Sequence, residues 1–556
     1  MKKHSSKLVV QQLVEALNAV GVKQIVISPG SRNAPFMIEL SNDKRFECLS
    51  IIDERAAAFF ALGLCQKNTA PVAIICTSGT ALLNYAPAIA EAYYQRLSVI
   101  VISADRPAFW INKGEGQSIV QTNVFESFTE TSFQLVEDEL EHASIENFNR
   151  LNQFVKSVKN NIGPVHINVP FNEPLYDLVN EGSNYNYSTI ESSSKEEFSI
   201  DHSKFLGKKR VLILLGQHQE NTVALKRVLT NLSDHNEILV LGELHSNLCS
   251  ENVIYSIDTL IMALGETAQQ LIQPDLLITI GTNIVSRKIK AILRKAKPMH
   301  IQLGVNEKVM DTFNCLTEFI PVSPELFLEK VVTDFDRNSE YGLTIRRMFA
   351  TANSLGKKYL KQCEFSDLKA MEILSSRIPK NSVVHLGNSS VIRYFHLVNA
   401  PENARYQSNR GVAGIDGCTS TAVGNAFGSD NLTVLISGDL AFLYDANAFW
   451  NNYVSPKLKV VVINNQGGGI FRIIEGAKDS DFLETLQETA HTQSVQGLVN
   501  RFGLTYFQAS NESELSGILD VFFDNPNCAV LEIHTPRLTN ANVLNDFFKA
   551  VILNHE

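Results

Sequence analysis

Two short apolar runs, 432–436 (Leu-Thr-Val-Leu-Ile) and 460–463 (Val-Val-Val-Ile), each lead into a polar cluster: Gly438-Asp439-Leu440 after the first and Asn464-Asn465-Gln466-Gly467 after the second. Uninterrupted, largely β-branched runs of this length predict strands buried on both faces of a parallel sheet. Parallel strands need a crossover, and the stretch 444–450 has the room and composition for a helix there. Both clusters then emerge at the carboxyl ends of parallel strands, where open α/β sheets bind ligands. Asp439 offers an anionic oxygen, Asn465 a neutral amide oxygen, and Gly467 lets a backbone carbonyl approach closely. Octahedral magnesium shared with a diphosphate takes that oxygen set. Either cluster alone also reads as a simple chain turn.

The same strand pattern recurs along the chain, at 24–28, 72–77, 98–103 and 165–169, then at 211–215, 238–241, 276–280 and 300–303, and finally at 383–386 and 529–533 around the two runs above. Helical stretches separate these runs, which predicts an α/β fold with parallel sheets. A chain of 556 residues exceeds a single core. The expected division is three α/β domains, at 1–183, 184–355 and 356–556, with a Ser-, Asn-, Glu- and Lys-rich linker over 185–202. No residue-level repeat relates the outer two. No Gly-x-Gly-x-x-Gly follows the middle strands and no phosphate-loop motif occurs, which argues against a bound nicotinamide or flavin.

A net charge of −10 argues against a general nucleic-acid binder. Near the N-terminus Val9, Val10, Leu13, Val14 and Leu17 share one helical face, so this stretch reads as an amphipathic helix and not a signal peptide. No run of about 18 apolar residues, the length of a membrane span, occurs. The eight cysteines are scattered without a Cys-x-x-Cys pair, as expected of free thiols in a reducing compartment. The expectation is a cytoplasmic protein with neither nucleic acid nor membrane as partner.

Glu54 closes the apolar pair Ile51-Ile52 and opens a helix over 56–65; by itself it reads as a carboxylate stabilised by the helix dipole. Several cations lie in strand-end contexts: Arg32 in Ser28-Pro29-Gly30-Ser31-Arg32-Asn33, Arg106 in Ser103-Ala104-Asp105-Arg106-Pro107, Arg287-Lys288 after the strand ending at Ile280, Arg393 after Gly387-Asn388-Ser389, and Arg410 in Ser408-Asn409-Arg410-Gly411. Any one of them reads as a surface ion-pair partner. Together they predict carboxylate-rich substrates, which guanidinium binds in bidentate fashion.

The Gly-Asp and Asn-Asn clusters resemble the thiamine diphosphate signature, and two similar outer domains flanking a middle one resemble the pyruvate-oxidase-like thiamine enzymes. The segments SPGSRNAP, DERAAAFFALG, TSGTALLNYAPAIAEA, SADRP, HLGNSSVIR, SNRGVAGIDG and NNQGGGIF resemble the MenD family. These are menaquinone-pathway enzymes that make 2-succinyl-5-enolpyruvyl-6-hydroxy-3-cyclohexene-1-carboxylate from 2-oxoglutarate and isochorismate. The resemblance implies thiamine diphosphate with Mg2+ or Mn2+, a pyrimidine-binding domain at 1–183, a central domain at 184–355 and a diphosphate-binding domain at 356–556. It assigns the metal to Asp439, Asn465 and the Gly467 carbonyl, and further cofactor contacts to Glu54, Ile415, Gly438, Leu440, Ile470 and Phe471. Ile415 would bend the cofactor, with Ile470 and Phe471 as its apolar wall; their plain reading is core. Glu54 would be the catalytic residue, sharing a proton with the aminopyrimidine ring.

Substrate would meet Ser31, Arg32, Arg106, Gln117, Arg287, Lys288, Ser389, Arg393 and Arg410. With Glu54 and the metal ligands on different subunits, the implied assembly is a homodimer at minimum and a homotetramer as the fuller form. The chain departs from the family in having Gly116-Gln117 for Asn-Gln and Arg287-Lys288 for Lys-Arg. Two alternatives stand beside this reading. Another thiamine-dependent 2-oxoacid carboligase or decarboxylase, such as an acetolactate-forming enzyme, would share the clamp and Glu54 with less need of cations. A non-catalytic thiamine-binding protein would lack so complete a constellation.

Overall fold

The computed structural model describes residues 3–68, 70–138, 140–160, 163–183, 185–187, 199–217, 223–233, 235–248, 253–305, 308–401 and 403–553. Most of the expected linker, and Cys249, lie outside the described residues. The other seven cysteines are free.

Three sheets carry the fold. The first runs Glu47–Ser50, Gln24–Ile27, Val72–Cys76, Val99–Asp105, Val165–Pro170, Thr131–Gln134 across its width, with every neighbouring pair parallel. Another six-stranded sheet runs Arg405–Gln407, Val383–Leu386, Thr433–Gly438, Leu458–Asn464, Ala529–His534, Thr505–Ala509. Numbered along the chain, the strands of both sheets follow the order 2-1-3-4-6-5. A five-stranded parallel sheet between them in sequence has Ile238–Gly242, Val211–Leu215, Leu276–Ile280, Met299–Leu303 and Leu316–Ile320, in the order 2-1-3-4-5. In each sheet the winding direction reverses between strands 1 and 3, and the loops leaving those strands splay apart to leave a crevice at their carboxyl ends.

All twelve runs expected as strands form strands, and most are buried along their whole length. Besides the short antiparallel pair His4–Ser5 and Leu178–Val179, five strands of these three sheets have no counterpart in the sequence reading: Glu47–Ser50, Thr131–Gln134, Leu316–Ile320, Arg405–Gln407 and Thr505–Ala509. Each lies at a sheet edge and is partly open to solvent, so it lacks the continuous apolar run that identifies a central strand. The expected crossover helix over 444–450 is corrected. A helix starts directly at Asp439 and ends at Tyr444, and 444–450 holds only the 3-10 turn Ala446–Phe449. Asp439 is therefore both the end of a strand loop and the first residue of a helix.

By compactness the chain forms two units. One comprises Met1–Lys195, Asn409–Thr433 and Ala441–Leu458; the other comprises Glu196–Ser408, Val434–Leu440 and Lys459–Glu556. A close helix crossing knits the first. Helix Glu54–Lys67, which joins strands 2 and 3 of the first sheet, packs on Cys418–Ala426, which joins the same pair of strands in the other six-stranded sheet. A methyl group at Gly63 would lie 2.0 Å from the Thr421 carbonyl oxygen, and one at Gly424 would lie 2.0 Å from that of Phe60. The two backbones approach to a distance that only glycine permits on either side.

Gly63→Ala and Gly424→Ala are each expected to destabilise the protein by about 1–3 kcal/mol or more, because backbone has to move in both cases. Gly497→Ala, on an exposed helix with open space at that point, is expected to stay within about 0.5 kcal/mol of the parent. Denaturant unfolding of the three variants measures the contrast, and equal midpoints would refute the close-crossing account.

Candidate active site

The Gly438-Asp439 and Asn464-Asn465 clusters leave strands 3 and 4 of their sheet, and the neighbouring strand 1 delivers Gly387-Asn388-Ser389. Asp439 is 2% exposed. Its Oδ1 accepts from the backbone N–H of Leu440 at 2.7 Å, and its Oδ2 accepts from that of Gly467 at 2.9 Å. His491 Nε2 stands 3.2 Å from the same Oδ2. Burial pushes the Asp439 carboxyl up to about 6, against the pull of these donors and of His491. The Asn465 amide is held from behind: its Nδ2 donates to Asp367 Oδ2 at 2.8 Å. Its Oδ1 is buried and has no hydrogen-bond partner. A buried carbonyl oxygen without a donor is costly in a protein interior, and a hard cation would satisfy it.

The glycines divide into two kinds. Gly467 has φ +143°, and a methyl group there would lie 2.7 Å from the Glu488 carbonyl oxygen, so the chain itself demands glycine. Its own carbonyl accepts from the Gly469 N–H at 2.9 Å, which leaves a second lone pair. At Gly438, by contrast, a methyl group would meet no protein atom within 4 Å. The space beside Gly438, the orphaned Asn465 oxygen and the anionic Asp439 together fit a divalent cation bound with a diphosphate. Leu440, Ile470 and Phe471 border this region as half-buried residues, the last two in the 3-10 turn Gly469–Arg472.

In the other unit Asp53, not Glu54, is the helix cap: its Oδ1 accepts from Ala56 N–H at 2.9 Å. Glu54 is thereby free of capping duty. Its carboxyl is raised above the ordinary range, chiefly by burial and further by Asp53, and its charge is felt by Cys76 at the end of a strand and by Tyr85 between two helices. Ile415 is half-buried in the same unit.

Arg32 and Arg106 leave strands 1 and 4 of the first sheet. Arg32, 4% exposed, donates to the Phe171 carbonyl at 3.0 Å and pairs with Glu173 at 3.1 Å, while its buried Nε has no partner. Arg106 donates to the Gly116 carbonyl at 3.1 Å. Burial lowers the Arg32 pKa and the nearby Arg106 lowers it further, as expected of two cations sharing one crevice. The loop over Gly79 carries Gln117 at φ +55°, and both Gln117 and Ser31 are exposed.

Arg287 and Lys288 open helix Arg287–Ala296, where the helix dipole disfavours cations, and the buried Asp258 carboxylate, bonded to the cap residue Ser286, feels the Lys288 charge. Lys288 Nζ lies 5.9 Å from the centre of the Phe548 ring, whereas Arg287 is the like charge that Arg393 senses. Ser389, ahead of Arg393, is held at φ +72°, a strained conformation for serine. Arg410 belongs to the unit that contains Glu54, and Arg393 to the unit that contains Asp439.

A family profile described as "Thiamine pyrophosphate enzyme, N-terminal TPP binding domain" matches residues 8–126. Proteins named 2-succinyl-5-enolpyruvyl-6-hydroxy-3-cyclohexene-1-carboxylate synthase are similar over nearly the whole chain. The one from Flavobacterium johnsoniae is 41% identical, with 97% of this chain and 98% of that protein covered. Those from Flavobacterium psychrophilum and Christiangramia forsetii are each 39% identical, covering 97% and 98% of this chain and 98% and 99% of theirs. The chain belongs to this synthase family. Its parallel three-sheet plan agrees with the pyruvate-oxidase-like fold expected of such a synthase. Among the described residues, no helix is long and apolar enough to cross a membrane.

Two residues that hold the Asp439 and Asn465 side chains escaped sequence reasoning. Asp367 follows the cap Ser366 at the start of helix Asp367–Ser375, where an acidic residue reads as ordinary dipole stabilisation. It is instead fully buried, accepting from Thr535 Oγ1 at 2.6 Å, Asn540 Nδ2 at 3.0 Å and Asn465. His491 lies in a loop with no periodic pattern, and nothing local marks it. Asp367→Ala is expected to cost about 1–3 kcal/mol for each buried donor left unpaired. Denaturant titration checks this, and an unchanged midpoint would mean that Asn465 is held by other groups.

Proposed function

We propose that the protein is a thiamine diphosphate- and magnesium-dependent synthase that decarboxylates 2-oxoglutarate and joins the succinyl unit to isochorismate, forming 2-succinyl-5-enolpyruvyl-6-hydroxy-3-cyclohexene-1-carboxylate for menaquinone biosynthesis. The observation that carries this reading is the orphaned, buried Asn465 oxygen in the loop whose Gly467 N–H reaches Asp439, on the sheet whose strand 1 leads into the helix that carries Arg393.

Thiamine diphosphate supplies the electron sink on which a 2-oxoacid loses carbon dioxide and its acyl carbon becomes nucleophilic. Asp439, Asn465 and the Gly467 carbonyl hold the metal, manganese being an alternative to magnesium, and Gly438 leaves room for the diphosphate. Glu54, raised by burial, holds a proton toward the aminopyrimidine ring. Ile415, Ile470, Phe471 and Leu440 exclude water around the cofactor. Arg393 and Arg287 bind the carboxylates of 2-oxoglutarate, with Ser389 beside them. Arg32, Arg106, Ser31 and Gln117 face isochorismate, while Lys288 and Arg410 add positive charge. The spans 1–183, 184–355 and 356–556 act as pyrimidine-binding, central and diphosphate-binding domains. The working form is a cytoplasmic homodimer at minimum, with a homotetramer as the fuller assembly.

Carbon dioxide release from 2-oxoglutarate, measured with and without isochorismate, tests the function. Consumption of isochorismate with formation of the succinylated product is expected; release of a simple aldehyde or acetolactate-type product alone would favour the other carboligases. Glu54→Gln is expected to keep cofactor affinity within about threefold while slowing hydrogen–deuterium exchange at the thiazolium carbon by about 100-fold or more, the range general acid–base groups contribute. An unaltered exchange rate would remove Glu54 from its role.

A further inference from the structure

Glu243 follows the strand Ile238–Gly242 of the five-stranded sheet, is 1% exposed, and has no place in the reading above. Its Oε1 accepts from the backbone N–H groups of Val285 at 3.0 Å and Ser286 at 3.1 Å, the two residues immediately before Arg287. Its Oε2 lies 2.9 Å from His396 Nε2. His396 sits at the end of helix Ser390–Phe395, which carries Arg393, and its Nδ1 is 2.7 Å from the Ile392 carbonyl. Arg393 in turn donates to the Val285 carbonyl at 3.3 Å. His245, two residues after Glu243, meets the Asn283 carbonyl of the same loop at 3.1 Å.

The loop 283–286 is thus gripped from two elements. A single buried carboxylate joins the element that presents Arg287 to the one that presents Arg393. Burial alone would push the Glu243 carboxyl up, but His396, His245 and the backbone donors hold it down at about 2. The two guanidiniums repel each other, and Arg393 has its pKa lowered by burial and by Arg287, with Asp258 and Glu243 as the opposing anions. Ser286 Oγ donates to Asp258, which anchors the loop on its far side. Left to themselves, like charges on separate elements would splay apart and would have to be gathered by the incoming substrate; a held pair binds without that cost.

We propose that Glu243 and His396 are positioning residues that hold Arg287 and Arg393 side by side as a preformed carboxylate clamp for the 2-oxoacid. The proposal rests on the reading of Arg287 and Arg393 as 2-oxoglutarate ligands. Glu243→Gln keeps an acceptor for the Val285 and Ser286 N–H groups while removing the charge, and His396→Gln removes the ring from the other side.

Steady-state kinetics of the magnesium and thiamine diphosphate holoenzyme tests both variants together with Arg393→Ala. The expected result is a rise of about tenfold or more in KM for 2-oxoglutarate in each positioning variant, with kcat within about threefold and the isochorismate KM unchanged, the pattern of lost substrate binding without lost chemistry. Arg393→Ala is expected to raise the same KM at least as far, and adding Glu243→Gln to it is expected to produce little more, because both act on one clamp. If Arg393→Ala raises KM and neither Glu243→Gln nor His396→Gln does, the proposal fails while the substrate reading stands. If Arg393→Ala leaves KM unaltered, the substrate reading fails and the proposal with it. An equal loss of kcat and of thermal midpoint in the two positioning variants, with KM unmoved, would show a purely structural role and also overturn it.

Discussion

Strands buried on both faces leave a chain almost nowhere to put a polar group except the loops at strand ends. That constraint organises the whole protein. The order 2-1-3-4-6-5 in both six-stranded sheets opens a crevice between the loops of strands 1 and 3. In one sheet these loops, with that of strand 4, carry Arg32, the Thr77-Ser78-Gly79 turn and Arg106. In the other, the corresponding three carry Ser389, Asp439 and Asn465. The same topology presents two arginines in one case and a buried carboxylate with a donor-less amide oxygen in the other.

Loops need holding, and buried carboxylates do much of that work. Asp367 fixes the Asn465 amide, Glu243 fixes the loop before Arg287, and Asp445 accepts from the Ser420 N–H at 2.6 Å and its hydroxyl at 2.7 Å at the start of helix Cys418–Ala426. Glu91 accepts from Gly411 N–H at 2.6 Å and Val412 N–H at 2.7 Å, immediately after Arg410. Each takes several donors at once, which is what allows an ionisable group to stay buried without leaving the interior unsatisfied. These carboxylates do not line up along the sequence with the cations whose loops they steady, and that separation is why they read locally as caps or surface acids.

The central strands were legible because burial on both faces writes itself into sequence as a continuous apolar run. Thr131–Gln134 and Leu316–Ile320 were not, because an edge strand is partly wet and its pattern merges with that of a loop. The crossover after Asp439 was misplaced for a related reason: the residues 439–444 continue the apolar character of the strand before them, and the switch from strand to helix depends on where the Gly438 turn falls.

Sequence by itself determined the parallel α/β class, the family, and the residue types at the strand ends, since these follow from hydrophobic pattern and from short motifs whose chemistry is local. Tertiary structure decided the rest. It turned Asp367 inward to hold the Asn465 amide while its oxygen stays buried without a donor, brought the charge of Arg287 within reach of Arg393 and Lys288 up to Phe548, and set Gly63 against Thr421 and Gly424 against Phe60. None of these is a property of a segment. Each depends on a partner dozens to hundreds of residues away, brought near by packing that no local pattern encodes.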